Sequence, residues 1–145
     1  MNVFKALYCN QYYELKPKGK ANEARNYGTR LLIVSTALNI IVLVILLMFI
    51  SEDFTDWFSD TLKDIFGRRQ SRTVGRVVAI IPFIIAFPLV RFTLGRQEVY
   101  DKLIAEFTSL SDREQLCISK RGFYYFIASL IAFFIALVLG SIYLT

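Results

Sequence analysis

Hydrophobic residues gather in three long runs, at 31–50, 77–95 and 123–144, and between them apolar and polar residues interleave at helical spacing. At 1.5 Å per residue, each run is about as long as the ~30 Å hydrocarbon core of a bilayer. A helix that is apolar on every side has no face to give to water, and a soluble domain of 145 residues rarely needs even one. The pattern predicts an all-α, polytopic membrane protein with three transmembrane helices and additional interfacial amphipathic helices.

The segments outside these runs carry their own patterns. In 51–76, Phe54, Trp57, Phe58, Leu62, Ile65 and Phe66 recur every three or four residues, with Asp56, Asp60, Lys63 and Asp64 between them. This is an amphipathic helix, and Phe54, Trp57 and Phe58 suit the membrane interface. Four arginines follow, Arg68, Arg69, Arg72 and Arg76; with Arg91 they are candidate contacts for lipid head groups or an anionic partner. The tail 1–30 has a weaker stripe of Phe4, Leu7, Tyr8, Tyr12 and Leu15, which predicts an interfacial or partner-binding helix. Lys16-Pro17-Lys18-Gly19-Lys20 then breaks it. In 96–122, Val99, Leu103, Phe107 and Leu110 form a stripe with Ile104 beside it, and Ser111-Asp112-Arg113-Glu114 has the spacing of a capping box. A cytosolic helical hairpin turning near 108–111 is expected, continuous with the second and third spans.

Small and polar residues distinguish the spans from one another. Ala128, Ala132, Ala136 and Gly140 stand at four-residue intervals in the third span and predict a helix-packing groove. Asn39 is a further candidate packing residue, able to hydrogen-bond across a helix pair for about 1 kcal/mol. Pro82 and Pro88 favour a kink in the second span, whose Arg91 can snorkel to the interface or face Asn39.

Charge suggests an orientation. Eleven Lys and Arg residues fall in 1–30 and 96–122 against five in 51–76, which places the N-terminus in the cytoplasm and the C-terminus outside, in the plasma (inner) membrane. The basic cluster at 68–76 works against this orientation. No small-residue cleavage site follows the first run, so 31–50 is expected to persist as a signal anchor. Cys9 and Cys117 are expected to be reduced thiols, with acylation of Cys9 conceivable on an interfacial helix.

The candidate chemistry is sparse. With no histidine, the chain excludes a Ser-His-Asp triad and His-ligated metal, and no Asp or Glu lies within a span. No catalytic residue, metal site, cofactor or nucleic-acid surface is expected. The expected partners are the lipid bilayer and other membrane subunits or copies of the chain. The leading functional expectation is a non-enzymatic accessory or assembly subunit, or an inhibitor, of a larger membrane complex, acting through helix–helix contacts. A homo-oligomeric ion channel or small transporter lined by Asn39 and Arg91 is the alternative.

Overall fold

Asn2 opens the first helix: its side-chain oxygen accepts from the backbone N–H of Lys5 at 3.0 Å, satisfying an amide left over at the helix start. The computed structural model describes residues 2–66 and 71–143, with side chains for 2–65 and 79–142. Its α-helices are α1 (Val3–Leu15), α2 (Ala24–Ile50), α3 (Glu52–Phe66), α4 (Ser71–Phe92), α5 (Gln97–Thr108) and α6 (Asp112–Tyr143). No strand occurs among the described residues. Short 3₁₀ turns at Lys16–Lys18 and Ala21–Glu23 join α1 to α2, and Gly19 takes the left-handed conformation (φ 71°) that side-chain-bearing residues avoid.

The fold is all-α and fits a polytopic membrane protein. The stretches Ala21–Ile50, made of the second 3₁₀ turn and α2, and Asp112–Ile142 of α6 are long and apolar enough to cross a bilayer. The run at 77–95 became α4. Pro82 and Pro88 both lie inside that helix, and the sharp bend comes after it, where Ala79–Phe92 meets Gln97–Thr108 at 69°. The amide of Gly95 donates to the Val90 carbonyl at 2.8 Å and closes the end of α4. The described residues thus hold two spans, or three if the bent pair counts as one.

Half of the expected capping box forms at the start of α6: Glu114 reaches back to Ser111, while the Ser111 hydroxyl bonds the carboxylate in place of the Glu114 amide. Ser111 N–H and Oγ both donate to Glu114 Oε2, at 3.1 and 2.7 Å, and hold that carboxylate below its usual pKa. The expected hairpin is not two helices packed on each other. Helix α1 lies between α5 and α6, packing on both and on α2, while α5 and α6 make little direct contact.

The core consequently sits at one end of the bundle. Leu7, Tyr8 and Cys9 of α1, Leu32 of α2, Val90 of α4, and Tyr100, Leu103 and Phe107 of α5 form one buried cluster. Helix α2 packs against α4 on one side and α6 on another, with α4 and α6 nearly out of contact. Because α1, α5 and the start of α6 share this end, residues 2–30 and 96–122 lie on the same side of the spans. Helix α3 follows the far end of α2.

Candidate functional site

Two features stand out: a tightly built cap around α1, and long apolar helices left largely uncovered. The cap begins with glycines. A Cβ at Gly122 of α6 would collide with the carbonyl of Ala6, and one at Gly28 of α2 would lie 2.6 Å from Cδ1 of Tyr8. Their missing side chains let α1 sit with its backbone against α6 and its Tyr8 ring against α2. Residues Ala6 to Asn10 are consecutively buried, so the middle of α1 is covered on all sides.

Polar and aromatic contacts then set the position of α1. Tyr8 Oη and Thr29 Oγ1 are 2.9 Å apart, and Asn10 Nδ2 donates to Ser119 Oγ at 3.0 Å between two buried side chains. Edge-to-face ring pairs join Tyr8 to Tyr100 (5.7 Å), Tyr12 to Phe107 (6.4 Å) and Phe4 to Tyr125 (5.4 Å). Burial raises the Tyr8 pKa, opposed by the hydrogen bond with Thr29 and by Arg25. The Cys9 thiol is pushed up to about 12 by burial and then by the Glu106 carboxylate. It is protonated and unreactive at neutral pH.

The first helix, expected to be interfacial or partner-binding, packs its middle turns against other helices of the same chain. Its Phe4–Leu15 stripe is less important than its burial among three helices. Cys9 is wholly buried, so it offers no surface for acylation, whereas Cys117 is exposed. Two clefts flank the cap, the first polar and the second closed partly by Leu116 and Phe123. One of about 460 Å³ is lined by Asn22, Arg25, Asn26, Gln97, Tyr100 and Asp101; the other, of about 430 Å³, by residues including Asn10, Glu14, Ser119 and Lys120. Among the described residues, no three His, Cys, Asp or Glu side chains come together as a metal site would require.

In the spans, Asn39 Nδ2 donates to Tyr125 Oη at 2.9 Å, tying α2 to α6. Arg91 is exposed, its guanidinium 5.7 Å from the Phe87 ring centre, so Asn39 and Arg91 are not partners. The small residues of α6 divide. Ala136 is buried, Ala132 and Gly140 are half-buried and Ala128 is exposed. The reason is geometric: a four-residue step overshoots one helical turn by about 40°, so the row winds off any single face. The face covered within the chain runs instead through Ser119, Gly122, Ser129 and Ala136.

On α3, Phe54 and Phe58 are half-buried and Trp57 is exposed. Arg68 and Arg69 lie outside the described residues, as do the side chains of Arg72 and Arg76. Residues that the hydrophobic pattern did not single out, Gly28, Gly122, Asn10, Ser119 and Tyr125, prove central to the cap and its junction with the spans. The available signal was Gly122, inside the helix expected to run from 111 into the third span; Gly28 fell in the tail, where no helix was expected.

Outside the cap, the helices are bare. Only 22% of the most apolar window of α2 is buried, and 11% of that of α6. Leu43, Leu46, Leu47, Ile131, Phe134 and Ile135 are all exposed. Compared with known protein families, curated proteins and solved structures, the chain matches none.

Proposed function

We propose that this chain is a non-enzymatic membrane protein that works by lateral association of its spans with other membrane proteins, as an accessory or assembly subunit or an inhibitor of a larger complex. The observation that carries this reading is the contrast between a fully packed cap and spans left nearly uncovered. A rigid cap holds α2 and α6 in fixed relation while leaving their outer faces free for other helices. On that outer face Ala128 forms a notch beside Tyr124 and Ile131, where a neighbouring backbone could come close. The proposed setting is the plasma (inner) membrane, with the cap in the cytoplasm.

A channel of several copies lined by Asn39 and Arg91 gains no support from their placement, since Asn39 is engaged by Tyr125. The deciding experiment is extraction of the full chain from its native membrane in mild detergent, followed by native mass measurement. A complex with a distinct membrane protein, lost in Ala128→Leu, is the expected result. A monomer with no companion, or a pure homo-oligomer that conducts ions in liposomes, would overturn it.

A further inference from the structure

The apolar surface of α2 does not stop where the helix ends. Phe49 and Ile50 are exposed at its last turn, Ile50 at 81%, and α3 begins two residues later. Ser51, in extended conformation, separates the two helices, and its Oγ accepts from the Phe54 amide at 3.2 Å. Thr55 Oγ1 reaches back to the Met48 carbonyl at 2.9 Å, which fixes the first turn of α3 against the last turn of α2.

The apolar arc of α3 is wider than α2 can cover. Phe54, Phe58 and Leu62 are half-buried, whereas Trp57 is 62% exposed and Ile65 65%. Ile65 points within about 20° of Phe54 round the helix, three turns further on, yet it is exposed where Phe54 is half-buried. The remaining arc carries exposed Asp53, Asp56, Asp60 and Asp64, with Asp64 about 20° from Trp57 at the border between the two arcs. An uncovered apolar face that continues the lipid-facing surface of a span, backed by carboxylates, has the chemistry of a bilayer boundary.

We infer that α3 is a membrane-interface helix whose Trp57 and Ile65 enter the glycerol and upper acyl region of the leaflet opposite the cap, with its carboxylates in water. Thr55 ties the start of the helix to α2, Phe54 and Phe58 stack on each other with ring centres 5.9 Å apart, and Trp57 and Ile65 seat the helix on lipid. Indole suits this layer because its ring is apolar and its N–H can still find a partner.

Trp57 is the chain's one tryptophan, so its fluorescence reports the contact directly. The full-length protein is reconstituted in phosphatidylcholine vesicles, and emission is followed with acyl-brominated phosphatidylcholines and with aqueous acrylamide. Quenching by lipid brominated near the head group, stronger than by lipid brominated near the chain end, with little effect of acrylamide, is the expected result. Two Trp57→Phe variants extend the test, one with Ile65→Trp and one with Asp56→Trp, positions about 180° apart on the helix. The first should follow the lipid quenchers and the second acrylamide. Equal behaviour of the two positions, free access of acrylamide to Trp57, or protection of Trp57 from both quenchers by a covering protein would each overturn the inference.

Discussion

Gly122 of α6 lies directly beneath the carbonyl of Ala6, so closely that a Cβ would leave no room for the α1 backbone. Both sides of that contact are main chain, which cannot rotate out of the way as a side chain can. Gly122→Ala is expected to lower stability by about 1–3 kcal/mol, outweighing the roughly 1 kcal/mol that alanine gains over glycine in a helix. Gly28→Ala meets the Tyr8 ring instead and should cost less, with loss of the Tyr8–Thr29 hydrogen bond. Thermal unfolding in detergent checks the order of the two; equal stability of Gly122→Ala and the parent chain would contradict the close approach.

The two cysteines report on the same packing. Cys117 is exposed and should react rapidly with a maleimide at pH 7.5, while Cys9 should remain protected until the protein unfolds. Cys9 is an acid whose folded pKa stands above its ordinary value of 9.0, at about 12. Its neutral burial therefore contributes stability that is complete below about pH 9 and is lost as pH rises toward 12. Cys9 labelling should appear as the pH is raised through that window, and earlier in Gly122→Ala. Mass spectrometry of labelled peptides distinguishes the two sites.

How much of this could be read from the sequence follows from what each helix faces. The spans and α3 were legible because lipid or water covers one whole side of each, which leaves a uniform or periodic apolar pattern. The Ser111–Glu114 box was legible because capping is local. Helix α1 was legible as a helix from its weak stripe, but its surroundings were not. Packed on α2, α5 and α6, it buries Ala6 through Asn10 in succession, including residues off that stripe. Tyr8 and Tyr12 read as part of an interfacial or partner-binding stripe, and Asn10 was not singled out, because their partners, Tyr100, Phe107 and Ser119, come from around a hundred residues later. The small-residue row of α6 is split within the chain: four-residue spacing winds slowly round a helix, so Ala136 is buried and Ala128 exposed.

Asn39 and Tyr125 offer a measurable polar tie inside the spans. Tyr125→Phe removes the acceptor and leaves the Asn39 amide without its partner, at an expected cost of about 0.5–1.5 kcal/mol. Asn39→Leu alone should cost about as much, and the double variant less than the sum. A coupling energy near 0.6 kcal/mol in a double-mutant cycle is the expected value for such a bond in a membrane protein. Strictly additive effects would show that the bond contributes nothing to the fold.

The position of α1 also makes a prediction about sidedness that does not depend on counting charges. Because α1 is wedged against α5 and the start of α6, the tail and the 96–122 connection must occupy one compartment, and α3, beyond the far end of α2, the other. Single cysteines at exposed Lys18, Lys102 and Asp60, in a background of Cys9→Ala and Cys117→Ser, test this in sealed vesicles with a membrane-impermeant maleimide. Lys18→Cys and Lys102→Cys should label from the same side and Asp60→Cys from the opposite side. If Asp60→Cys labels with the other two, α2 does not cross the bilayer, and the basic cluster of Arg68, Arg69, Arg72 and Arg76 has held the first connection on the side of the cap. If Lys18→Cys and Lys102→Cys label from opposite sides, α1 cannot dock between α5 and α6 in the membrane, and the packing around Gly122 and Tyr8 would have to be abandoned.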